Sequence, residues 1–138
     1  MESEIHRQKA ERLASSLSRC VLSDYETVIE GALLSAGHWF NLALHDMDFY
    51  PPSRDVLHLT KLPLEDYLRI QAVAGDLLRA FDELEELRSP YVRGSEPHGE
   101  VAAARALELL GDIRRMATSV RPHGIALPAN WNADAVKK

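Results

Sequence analysis

From Gly31 to Leu44 the chain runs GALLSAGHWFNLAL, without a single Asp, Glu, Lys or Arg. Across and beyond this run, Tyr25, Ile29, Ala32, Ala36, Phe40, Ala43 and Met47 recur at spacings of three or four, the signature of one buried helix face. The opposite face is apolar as well, and a helix that is apolar all round has to be covered on every side. One cover is the chain's own core. The other is expected to be a second copy of the protein, so this segment predicts a homodimer pairing through its second helix. Gly31, Ala32, Ser35, Ala36 and Gly37 let another helix come close, despite the helix propensity that the two glycines forfeit. Ser23, with Glu26 three residues on, is placed to form a capping box at the start.

Three further helices surround this one in the pattern. Residues 3 to 19 carry a thin apolar stripe, Ile5, Leu13 and Leu17, among many charges, and read as a lid lying across the others. The stretch FYPPSRDVLHLTKLP cannot continue a helix because of its tandem prolines, so it is expected to form a long loop with a short turn at Arg54 to Leu59. Pro63 suits the first position of a third helix, with Tyr67, Ile70, Ala74, Leu77, Phe81 and Leu84 facing inward and an acidic end, DELEELR, facing water. A fourth helix follows from about Gly99 to Val120, with Ala102, Ala106, Leu109, Ile113, Met116 and Val120 on one side. The expectation is an all-α, four-helix up-and-down bundle over residues 1 to 120. An extended tail from 121 to 138 follows, whose Ile125, Leu127 and Trp131 are available for docking.

Composition closes off several classes of function. One cysteine, Cys20, excludes an intramolecular disulfide or a CxxC site. The charged beginning and the lack of an uncharged run of roughly 18 residues predict a cytoplasmic protein with no membrane span. A net charge of −5 argues against a broad phosphate-gripping surface, although Val101 to Lys138 holds six Arg or Lys against three acids. Phosphate-binding glycine loops, the hydrolase elbow and HExxH are all absent, and no cofactor is expected.

Two sets of residues remain as candidates for a site. His38, Asn41 and His45 lie at i, i+3 and i+7, on one line of the second helix. Two imidazoles can serve a metal, but further ligands are then needed and Glu-x-x-His repeats are missing, so hydrogen-bonded polar groups at a helix or subunit interface are the simpler reading and no metal is expected. His58 is expected to pack or cap within the loop. The second set is Arg93 and His98, in LRSPYVRGSEPHGEV, just before the fourth helix, whose first backbone N–H groups favour an anion.

The order of these segments resembles the HEPN domains. YETVIEGALLSAGHWFNLALH corresponds to their long central helix and YPPSRDVLHL to the proline-containing turn. FDELEELRSPYVRG corresponds to the end of the third helix with its Leu-Arg-x-x-Tyr ending, and GEVAAARALELLGDI to the Ala/Leu-rich last helix. The resemblance implies a four-helix bundle that forms homodimers through its central helices. It also implies an RNA- or nucleotide-related role, in some members with a nucleotidyltransferase-type protein partner. In catalytic members an Arg-x4-6-His motif makes a metal-independent ribonuclease, and by position Arg93 and His98 fill it. The imidazole would exchange the proton of the ribose 2′-hydroxyl or the leaving oxygen, and the guanidinium would stabilise charge on the phosphate. Relatives without the motif serve as binding or regulatory modules, which is the alternative reading: a non-catalytic module that binds a protein or nucleotide. Arg88 and Tyr91 would close the third helix beneath the loop, and with His38, Asn41 and His45 they complete the candidate binding residues.

Overall fold

A computed structural model describes residues 1 to 121 and 124 to 125. Among these residues are four α-helices: α1 (Ser3–Leu17), α2 (Tyr25–Asp46), α3 (Leu64–Glu86) and α4 (Gly99–Thr118). A 3-10 turn at Leu59–Lys61 precedes α3, a π turn at Ser89–Arg93 follows it, and Val120–Arg121 pairs antiparallel with Gly124–Ile125. The expected docking of Leu127 and Trp131 lies outside the described residues. No helix among the described residues is long and apolar enough to cross a membrane.

The charge-free run forms the centre of the molecule. α2 packs against α1, α3 and α4, and every residue from Trp39 to Leu44 is buried. Phe40 stacks on Phe81 of α3 with ring centroids 4.8 Å apart, while Ile29, Ala32, Ala36 and Ala43 are sealed from solvent. The apolar circumference is thus covered from within one chain and does not need a second copy. Leu34, 57 % exposed, is the large apolar side chain that α2 leaves in solvent.

Several local expectations change. α1 is a full partner of α2 and not a lid: its Ala10 and Leu17 belong to the core, and the Ser35 hydroxyl of α2 donates to the Ala10 carbonyl at 2.8 Å. Its buried line is His6, Ala10 and Leu17: Leu17 is buried as expected, but Ile5 is 43 % exposed and His6, the next residue, is buried instead. Asp24, not Ser23, stands at the N-cap of α2 with no side-chain capping bond; its carboxylate instead accepts from the Val21 N–H at 3.3 Å, so the capping box is not formed. The turn in the long loop falls at Leu59–Lys61 rather than Arg54 to Leu59, and Pro63 is the N-cap of α3 rather than its first residue. α3 is kinked at Ala74 (φ −137°, ψ 47°), and its acidic end is not wholly in water: Glu85 is half-buried, accepts from the Leu59 N–H at 3.2 Å, and burial pushes its carboxyl up.

Candidate functional site

The polar line on α2 is where the long loop is fastened. Asn41 is buried and spends its whole amide on backbone: Nδ2 donates to the carbonyls of Val56 and Gly37, both at 2.8 Å, and Oδ1 accepts from the Val56 N–H at 2.6 Å. One side chain therefore pairs both backbone groups of Val56, as a neighbouring strand would. His45, one turn further on, donates from Nδ1 to the Tyr50 carbonyl at 3.0 Å and holds the start of the loop. The Tyr50 hydroxyl donates to Asp66 on α3, and burial together with that bond pushes the phenol up to about 12.

Fastening the loop at Tyr50 and Val56 delivers Asp55 to the histidines. Asp55 Oδ1 lies 2.9 Å from His45 Nε2 and 2.9 Å from His6 Nε2. His6, brought in by α1 and 2 % exposed, stands between the two histidines of α2: its Nδ1 is 2.9 Å from His38 Nδ1, and its ring centroid is 5.2 Å from that of His38 and 5.3 Å from that of His45. Burial lowers the His6 imidazole against the opposing pull of Asp55, and burial beside His6 lowers His38. Burial pushes the Asp55 carboxyl up, but the bonds from His6 and His45 outweigh it and hold the group below its ordinary range. Asp55 is therefore a carboxylate, an acceptor only, ringed by imidazoles.

A cavity of about 400 Å³ opens beside this cluster. His6, His38, Asn41 and Asp55 form one part of its wall, Leu33, Val56 and Phe81 the apolar part, and Glu30 with Arg88 a second charged part. Arg88 Nε donates to Glu30 at 2.5 Å, joining α2 to the segment after α3. Arg88 thus ties the segment after α3 to α2 and also lines the cavity.

The other expected residues lie elsewhere. Tyr91 is half-buried and packs against the core. Arg93 and His98 are exposed, and among the described residues neither side chain has a hydrogen-bond or ion-pair partner. His98 caps α4 in the left-handed conformation at φ 69°. Gly94 closes the π turn through its N–H to Ser89, 2.8 Å, and a Cβ there would come within 2.8 Å of the Pro90 carbonyl. His58, on the loop, is half-exposed with Nδ1 3.9 Å from Glu85.

Of the residues that the sequence singles out, His38, Asn41 and His45 do assemble into one cluster. His6 and Asp55, which complete it, were missed. The one available signal was the phase of the first helix, since His6 is four residues before Ala10 and eleven before Leu17, on one helical line. Comparison with family models, curated proteins and solved structures returned no match to this chain.

Proposed function

We propose that this chain is a HEPN-type helical protein with a nucleotide-related role, a non-catalytic binding module whose ligand occupies the cavity between α2, the long loop and the end of α3. The observation that carries the reading is the makeup of that cavity. Its volume of about 400 Å³ falls within the roughly 300–1,000 Å³ usual for small-molecule sites. Leu33, Val56 and Phe81 give the cavity an apolar wall against which a nucleobase can pack, and the second imidazole nitrogen of His38 is free to pair with a ring edge. Arg88 uses Nε on Glu30, which leaves its terminal amino groups for phosphate oxygens. The HEPN reading itself is supported by the four helices, the covered central helix and the segment after α3 with Arg88 and Tyr91. It brings with it the up-and-down arrangement and pairing through α2, for which Leu34 is the available contact.

Thermal unfolding in EDTA with a series of nucleoside mono-, di- and triphosphates tests this. A binding nucleotide raises the midpoint, by about 2.7 kcal/mol of added stability at a hundred times its dissociation constant. Arg88→Gln weakens that binding about tenfold or more, the size of a lost charge-assisted hydrogen bond. No shift with any nucleotide removes the reading.

A second reading, RNA cleavage by Arg93 and His98, is favoured by their exposure together at the entry to α4, where a polymer can reach both. Its test is digestion of structured RNA in EDTA beside an Arg93→Ala/His98→Ala variant. Equal background cleavage from both preparations eliminates it.

A further inference from the structure

His6 from α1, His45 from α2 and Asp55 from the loop bring three ligand atoms, two imidazole Nε2 and a carboxylate oxygen, within 4.8 Å of one another. We propose that these three atoms bind a divalent first-row transition ion, with the open positions of the ion facing the cavity. This goes beyond the nucleotide reading and does not depend on it.

The spacings from Asp55 to the two imidazoles fit a coordination shell, and the two Nε2, within 4.8 Å of each other, need to stand no more than about 4.2 Å apart to share one ion. Neighbouring ligands at right angles on a shell of about 2.1 Å stand about 3 Å apart, and Asp55 Oδ1 is 2.9 Å from each Nε2. The far side of each ring is oriented as ligating histidines usually are. His45 Nδ1 is engaged with the Tyr50 carbonyl and His6 Nδ1 with His38. Two imidazoles and one carboxylate suit zinc, cobalt, nickel or iron(II) better than calcium or magnesium. His6, Asp55 and His38 also line the cavity, so water or a ligand has a route to the remaining positions.

Counting donors shows that the cluster calls for a positive charge beside His45. His45 Nδ1 faces a carbonyl, which only accepts, so that nitrogen carries the ring's hydrogen. Its Nε2 meets the Asp55 carboxylate at 2.9 Å, a contact that is attractive with a positive charge between the two, carried either by a proton on the ring or by a metal ion. A proton on His45 completes the network too, with His6 Nε2 donating to Asp55 and His6 Nδ1 accepting from His38. A divalent ion serves His45 and His6 together, and leaves His6 Nδ1 with a hydrogen to donate to His38.

The test uses the full, untagged chain, stripped with EDTA and without nucleotide, so that it stands apart from the binding assay above. Cobalt(II) titration followed by visible absorption is expected to give one equivalent with ligand-field bands, displaced by zinc. Asp55→Asn, which keeps size and shape, weakens cobalt binding on the order of 100-fold. His45 is buried, so its substitution risks the fold; the same question is read in the unaltered chain by histidine side-chain nitrogen spectra. Zinc should move the Nε2 signals of His6 and His45 and leave those of His58 and His98 in place. The proposal is overturned by a titration without a stoichiometric endpoint, by undiminished cobalt binding in folded Asp55→Asn, or by shifts confined to His58 and His98.

Discussion

At the scale of single residues, Asn41 does the most with the fewest atoms. Its amide bonds both backbone groups of Val56, as no other side chain among the described residues does, and those groups are buried with it. Asn41→Ala leaves the Val56 N–H and carbonyl unpaired and should cost about 2–6 kcal/mol, counting about 1–3 for each orphaned group. Asn41→Asp should cost more at neutral pH, although it is nearly the same shape. The carboxylate still accepts from the Val56 N–H, but its second oxygen then faces the carbonyls of Val56 and Gly37, acceptor against acceptor. Urea unfolding of the two variants checks both the size and the order; Asp above Ala in stability would contradict the donor assignment. The line of His38, Asn41 and His45 was legible in the sequence because helical spacing alone places them together. What Asn41 holds was not legible, since a backbone segment offers every residue the same two groups.

At the scale of elements, two joints are open to test. Gly99 begins α4 where the Tyr25 ring, at the start of α2, lies against it, and a Cβ on Gly99 would stand 2.5 Å from ring atoms. Helix propensity favours Ala over Gly by about 1 kcal/mol; the contact predicts instead that Gly99→Ala is destabilising, by about 1–3 kcal/mol of overpacking. Thermal unfolding decides between the two signs. α3 and α4 are also tied by Arg105, whose Nε and terminal nitrogen donate to the two oxygens of Glu83 at 2.6 and 2.9 Å. That bond, more than the charge, lowers the Glu83 carboxyl below its ordinary value. The group therefore adds stability above its unfolded value, and the contribution fades as pH falls through the lower, folded value. Glu83→Gln should flatten the acid limb of the stability curve in that window and leave its neighbours' titrations in place. The effect is small, because both partners are nearly half-exposed. The sequence predicts the helices of both joints to within a few residues, since apolar periodicity survives any packing. The joints themselves depend on which helix lies beside which.

At the scale of the whole molecule, the covering of α2 governs everything else. Amide hydrogen exchange should be slowest across Trp39 to Leu44, where α2 is buried on every side, because opening there exposes the most apolar surface. Deleting residues 1 to 17 should abolish cooperative unfolding and not merely uncover the rest, since α1 supplies core residues and a buried hydrogen bond to α2. A truncated chain that still melts cooperatively would restore α1 to the role of a lid. Local pattern alone is enough to place four helices to within a few residues and to require that the second be covered: charge and apolar spacing are local properties, read one helix at a time. What covers that helix, and which groups meet beside it, follows from the packing of α1, α3, α4 and the loop. Periodicity states how much of a helix is hidden and is silent about the partner, so a second copy and the chain's own α1, α3 and α4 look alike in the pattern. His6, His45 and Asp55 are 39 and 10 residues apart along the chain. Their meeting depends on the roll of α1 about its axis and on one loop strapped down by Asn41, and neither is written in any local stretch.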